Sequence, residues 1–247
     1  MSNLIYKPED YIDLIAISDL TFDKITSQIT ANPKYACFKW DKENEPYDAF
    51  WYKDNQIPSF NRVFCRLIER LHTIPSQEAC LVAYMIAYAA KLNNIYKEQA
   101  KIANCDESPE DRFVFDTAMK KRIYNNFYPS LVRDIAGAAQ LKTLLPSLEV
   151  TYNSKIDYNA QIDIVLYWPK KAIGFGLQQY RLTNEGQREY EDKQVNRHAN
   201  LVFENIHKIP VGVDMDKEII NLNNLKLIDY SQVLPVIKER ITKILGN

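Results

Sequence analysis

From Asn61 onward the apolar residues Val63, Phe64, Leu67, Ile68 and Leu71 recur at three- and four-residue intervals, the spacing that gathers them on one face of a helix. Pro75-Ser76 opens a second apolar stretch running to about Leu92, and the two read as a helical hairpin. Ser108-Pro109-Glu110-Asp111 joins an N-cap serine, a proline at the first helical position and an acid three residues on. A third helix is therefore predicted to about Asn126. Tyr128-Pro129-Ser130 starts a fourth, Leu131 to Leu145, whose Ala136, Gly137, Ala138 and Ala139 suit close packing on a sheet, and Pro146 ends it. Residues 1 to about 56 lack a clear period. Trp40, Trp51, Phe38, Phe50 and Tyr52 surround the turn at Asp41–Pro46, and mixed short elements are expected there.

Beyond Pro146 the period changes from helical to alternating. Leu148–Tyr152 alternates, Ala160–Trp168 is β-branched and aromatic, Pro169-Lys170-Lys171 is a turn, and Ala172–Tyr180 reads as a buried strand. Thr183-Asn184-Glu185 opens a polar helix to about Phe203, Ile206–Val213 is a further strand, Leu225–Tyr230 a short one, and Val233–Leu245 an amphipathic helix. This order predicts a mainly helical region over residues 1–126 and an α/β domain over residues 127–247, without internal repeats or low-complexity tracts.

Composition narrows the classes. With 46% apolar and 26% charged residues, a packed domain is expected rather than disorder. A net charge of −1 excludes a global positive field, so any nucleic-acid site has to be a local patch. Cys37, Cys65, Cys80 and Cys105 are far apart and form no C-x-x-C pair, which argues against a zinc site or a disulfide framework. The start carries no basic-then-apolar leader, and the longest apolar stretch, Ala79–Ala90, is too short to span a bilayer. A cytoplasmic protein without membrane contact is expected. His72, His198 and His207 lack metal-ligand spacing, and neither a phosphate-binding loop nor a dinucleotide fingerprint occurs.

The candidate chemistry lies in the predicted strands. Gln161-Ile162-Asp163-Ile164-Val165-Leu166 holds one acid in an otherwise apolar strand, where an ionised carboxylate needs a partner or an opening to solvent. Close by in sequence, Lys170, Lys171, Tyr180, Arg181, Arg188, Lys193 and Arg197 alternate with Gln178, Gln179, Gln187 and Gln194. Cations and amides together suit phosphate and sugar contacts, and Tyr180 suits stacking on a base. An ordinary mixed-charge surface is the competing reading of these residues. A second basic run, Lys120-Lys121-Arg122, ends the third helix.

The order helix, three-strand meander, helix, strand from Ser130, with Asp163 on the second strand, resembles the restriction-endonuclease-like, or PD-(D/E)XK, nuclease superfamily. In that family an aspartate on the second strand and an acid-x-lysine on the third converge at one end of the sheet; the acids hold a divalent metal and the lysine positions water. The resemblance implies that Asp163 is the first acid. Gly176 stands where the second acid belongs and Gln178 where the lysine belongs. It further implies that Gln178 orients water and that an acid on the succeeding helix replaces the missing one. Glu191 is the first candidate, in phase with Val195, Ala199 and Val202, and Asp192 its neighbour; Glu149 and Asp134 are weaker alternatives.

In functional terms the resemblance implies a magnesium-dependent nuclease of restriction or defence type acting on DNA, with Asp163 and Glu191 as metal ligands. A catalytically inactive relative that binds nucleic acid or a partner protein is the alternative. A third class is a protein-interaction domain using the N-terminal aromatic region and the helices to Asn126.

Overall fold

The computed structural model describes residues 5–6, 20–31, 57–105, 107–152, 157, 162–197, 202–203 and 206–246. The expected mixed elements over 1–56 thus fall largely outside the described residues. The chain divides into two compact units: residues 32–131, and residues 1–31 together with 132–247. The expected boundary after residue 126 lies close to the second division. The first 31 residues, expected with the helical region, group instead with the sheet. One tie is visible: Asn223 donates its side-chain amide to the Ile29 and Thr30 carbonyls at the end of α1 (Phe22–Ala31), at 2.7 and 3.0 Å.

The helical unit holds α2 (Phe60–Leu71), α3 (Gln77–Ala87), α4 (Ala89–Ile102) and α5 (Pro109–Arg122). The expected second helix is broken at Tyr88, where φ is −123°, and resumes for another turn and more beyond Leu92. Ser76 and Ser108 cap α3 and α5 by accepting the Ala79 and Asp111 N–H groups, both at 3.1 Å. A π-helical turn, Ile123–Phe127, then leads into α6 (Tyr128–Leu144). The unit's core is aromatic: Phe60, Phe64, Tyr84, Phe115 and Tyr128 are almost wholly buried, and the Tyr84 and Tyr128 hydroxyls donate to the Pro58 and Pro75 carbonyls at 2.8 Å.

The second unit is mixed α/β. Its four-stranded sheet has the order β2 (Glu149–Thr151), β3 (Ile164–Trp168), β4 (Ile173–Arg181), β6 (Ile206–Val213). The first two pairings are antiparallel and the last is parallel. The parallel step requires a crossover, which carries α7 (Asn184–Arg197) and β5 (Val202–Phe203), a short strand paired with β1 (Ile5–Tyr6). Helix α7 is described to Arg197, and Phe203, its expected end, lies on β5 instead. A hairpin, β7 (Ile219–Leu222) and β8 (Leu225–Ile228), turns at Asn223-Asn224 with φ of 45° and 68°. Asparagine tolerates that left-handed region, which two-residue hairpin turns require. Helix α8 (Tyr230–Gly246) closes the chain.

Strand alternation sorts the sheet's side chains. Ile164, Leu166, Phe175, Leu177, Ile209, Val211 and Val213 point to one face and form a core with Ala138 and Leu141 of α6 and Val233, Ile237 and Ile241 of α8. Each such side chain contributes about 1.5–3 kcal/mol on full burial, so this layer fixes α6 and α8 on that face. The other face receives α7 through Tyr190, whose hydroxyl donates to Gln178 Oε1 at 3.3 Å and whose ring stacks on Tyr180 with centroids 4.9 Å apart. Among the described residues no helix is long and apolar enough to cross a membrane.

Candidate active site

Asp163 sits at a bend immediately before β3, the interior strand of the meander. Its N–H donates to the Leu177 carbonyl at 2.9 Å, and its carboxylate Oδ2 accepts the Gln179 N–H at 2.6 Å. The side chain therefore folds back onto its own sheet neighbour, a geometry available only where the ladder ends. The bend also turns Ile162 onto the α7 face, where it packs against Gly176.

Residue 179 lies one step beyond 178, so its side chain leaves β4 on the core face. There its amide Nε2 donates to Asp134 Oδ1 at 3.4 Å. Asp134, on α6, is only 5% exposed. Burial first, then the negative charges of Asp163 and Asp157, push its carboxyl well above the usual carboxylate range, while Arg133 and the Gln179 amide pull the other way. Asp157 itself accepts the Tyr152 hydroxyl at 2.8 Å. Tyr230, the first residue of α8, belongs to the same neighbourhood: burial and the charges of Asp134 and Asp163 push its phenol up, against a smaller pull from Arg133 and the Gln179 amide. The result is a group of acids, an amide and a phenol where β3 starts and β4 ends. Among the described residues, no three histidine, cysteine or acidic side chains are arranged as a ready-made metal cage.

The expected site residues separate. Gln178 is 2% exposed and bonds to Tyr190 on the α7 face, away from the face that holds Asp134 and Gln179. Gly176 lies on the Gln178 side, and a Cβ there would stand 2.7 Å from Ile162 Cδ1. The position expected for the second acid is thus filled by an isoleucine. Glu191 is exposed, its Oε1 accepting the Gln187 amide at 3.2 Å. The helix phase that was to turn Glu191 inward relied on Val195, Ala199 and Val202: Val202 lies on β5, Ala199 falls outside the described residues, and so does the side chain of Val195. Among the described side chains of α7, Tyr190 meets the sheet. Asp134, the weaker alternative, is the acid that neighbours Asp163, whereas Glu149 is exposed on β2.

The cations separate as well. Lys170 and Lys171 lie in the single 3₁₀ turn between β3 and β4, with Lys171 Nζ 4.9 Å from the Trp168 ring centroid. That turn is at the end of the sheet opposite Asp163. Arg181, at the far end of nine-residue β4, is on the Asp163 side, roughly 26 Å along the strand from the turn at about 3.3 Å per residue. Arg181 and Arg188 are exposed, and Tyr180 is half-buried with one ring face taken by Tyr190. Lys193, Arg197 and Asp192 lie on the stretch of α7 whose side chains fall outside the described set.

Gln179 and Tyr230 were not among the expected site residues. The signal for Gln179 was its place one strand step from Gln178; Tyr230 carried no local signal, because long-range packing brings it in. Comparison with known protein families, curated proteins and solved structures gave no match to this chain.

Proposed function

We propose that the sheet unit is a restriction-endonuclease-like domain and that the protein is a magnesium-dependent nuclease of restriction or defence type acting on DNA, with Asp163 and Asp134 as the metal carboxylates. The observation that carries this reading is the buried Asp134 carboxyl brought beside Asp163 at the start of the meander's interior strand. The succession of α6, the β2-β3-β4 meander, α7 and parallel β6 supports it.

The donor set suits the ion. Two carboxylates and an amide are hard oxygen donors, and magnesium is bound through one or two carboxylates with several waters retained. Converging acids in a buried setting also favour a shared cation over two ionised groups alone. Bound magnesium supplies charge stabilisation at phosphoryl oxygens and a more acidic water. Within the chain, the Gln179 N–H fixes the Asp163 carboxylate and the Gln179 amide holds Asp134. Gln179 thus takes the orienting role expected of Gln178, and Asp134 the ligand role expected of Glu191. Arg181 and Arg188 are the exposed cations on the Asp163 side that suit phosphate contacts. Cys80 and Cys105 carry free thiols, which suits a reducing compartment.

The test is a cleavage assay on duplex and single-stranded DNA and on RNA with magnesium or manganese, using the wild type, Asp163→Asn and Asp134→Asn. Metal-dependent cleavage lost in both folded variants supports the nuclease. A second reading, an inactive relative that binds nucleic acid or assembles with a partner protein, is favoured by the Ile162 side chain filling the space at Gly176. Salt-dependent DNA binding without cleavage supports that reading instead.

A further inference from the structure

We infer that Tyr230, carried by the helix appended after the β7–β8 hairpin, is a further binding residue of the Asp134–Asp163 site and hydrogen-bonds the hydration shell of a divalent cation held there. The inference rests on the metal reading above and adds to it a residue from outside the helix, meander, helix, strand order.

Three observations place the hydroxyl. The Tyr230 ring lies directly on Gly137 of α6, where any Cβ would collide with Cε2 and stand 3.2 Å from Ile164 Cδ1. Its backbone N–H donates to Gln140 Oε1 at 2.8 Å, and the Gln140 amide reaches Asp229 Oδ1 at 3.4 Å, so the start of α8 is pinned to α6 at two successive residues. Asp134, Gly137 and Gln140 succeed one another at three-residue steps along one side of α6. A tyrosine anchored at Gln140 and lying across Gly137 has Asp134 as its next neighbour along the helix.

The hydroxyl is wholly buried; the Gln179 amide stands near it, yet no hydrogen bond of ordinary length and angle reaches it from the described residues. Such a group is costly in a folded protein, and where one persists it calls for a partner supplied by a ligand, an ion or water. Its surroundings say which kind. After burial, the Asp134 and Asp163 carboxyl groups act on it most, ahead of Arg133 and the Gln179 amide; carboxyl groups draw a cation, and a magnesium-like ion keeps waters whose hydrogens need acceptors. A phenol accepts one such hydrogen and can donate its own to a carboxylate oxygen.

The experiment titrates Mn²⁺ alone into the full chain by calorimetry, for the wild type, Tyr230→Phe, Asp163→Asn and Asp134→Asn, with melting of each metal-free protein. Tyr230→Phe keeps the ring and removes only the oxygen. It is expected to weaken Mn²⁺ binding about fivefold, the size of one ordinary hydrogen bond. The same substitution should raise the metal-free melting temperature by about 2–4 °C, because the unmatched buried oxygen is gone. A hydroxyl with a merely structural role would lower that temperature. Unchanged affinity in Tyr230→Phe, or a lowered metal-free melting temperature, overturns the inference while loss of binding in Asp163→Asn leaves the metal reading standing. Wild-type affinity retained in Asp163→Asn and Asp134→Asn, or no Mn²⁺ binding by the wild type, overturns both.

Discussion

Gln178 and Gln179, adjacent on β4, send their side chains to opposite faces of the sheet: the first meets the Tyr190 hydroxyl on α7, the second the Asp134 carboxyl on α6. Two identical residues one step apart therefore do different work. Gln178 ties the crossover helix to the sheet, while Gln179 holds two acids with one residue, Asp163 through its backbone and Asp134 through its side chain.

Alanine substitution separates the two roles. Gln179→Ala leaves the backbone bond to Asp163 but removes the amide from Asp134, so metal-dependent cleavage is expected to fall about tenfold or more, the loss of one charge-assisted hydrogen bond. Gln178→Ala is expected to cost about 0.5–1.5 kcal/mol of stability through the Tyr190 bond and to change the cleavage rate little. Initial rates and melting curves for both variants check this; equal rate losses would remove the distinction.

Placing an acid at Gly176 is expected to fail. A Cβ at that position meets three Ile162 atoms at 2.7–3.0 Å, and Ile162 is itself buried. Gly176→Ala should cost about 1–3 kcal/mol by overpacking, and Gly176→Glu more, because a carboxylate is also taken out of water. Chemical denaturation measures both. A Gly176→Glu variant as stable as the wild type would show that Ile162 yields freely.

The sequence made the sheet legible because strands of this kind announce themselves locally. The shift from helical to alternating period after Pro146, and the β-branched run ending at Trp168, located the three adjacent strands and put Asp163 at the interior one. What stayed hidden depended on where elements end. The bend at Asp163 breaks strict alternation, so Ile162 occupies the space opposite Gly176. The phase drawn through Glu191 ran on to Val202, which lies on strand β5. The placing of Lys170 and Lys171 was open to deduction, since a hairpin turn always lies at the end of the strand away from its first residue. Asn223-Asn224 was an unread turn signal, and β7 was missed with it. No local pattern marks Tyr230, which reaches the acids only because α8 packs back across Gly137.

Alkaline pH should weaken the helical unit. Burial pushes the Cys80 thiol from its ordinary value of 9.0 up to about 12, and burial with the neighbouring Tyr88 pushes the Tyr84 phenol up as well. Both folded groups hold their protons more tightly than the unfolded chain does. Stability from this source is complete below pH 9 and is lost as pH rises from 9 toward 12, because only the unfolded chain ionises there. Melting temperatures across that range should fall, and less so for Cys80→Ala once its lower neutral-pH stability is subtracted. In the native protein at pH 8 the Cys80 thiol should resist a disulfide reagent until denaturant is added. Rapid native reaction at Cys80 would contradict its burial.

The two groups of exposed cations should differ in nucleic-acid binding. Lys170 and Lys171 flank Trp168 at the hairpin end of the sheet, while Arg181 and Arg188 stand at the end where Asp163 and Gln179 lie. Arg181 ends the strand that carries Gln179 and Arg188 lies on the second turn of the helix that succeeds it, whereas a separation of roughly 26 Å along β4 puts the lysine turn away from the acids. Each phosphate contact releases about one counterion, so loss of a contacting cation flattens the dependence of log affinity on log salt by about one. Arg181→Ala with Arg188→Ala is therefore expected to weaken DNA binding and to flatten that slope by about two. Lys170→Ala with Lys171→Ala should leave affinity and slope nearly unchanged. Fluorescence anisotropy over a range of salt concentrations measures both pairs. The reverse pattern, with the lysine pair carrying the slope, would place the nucleic acid at the hairpin end and detach its binding from the Asp134–Asp163 site.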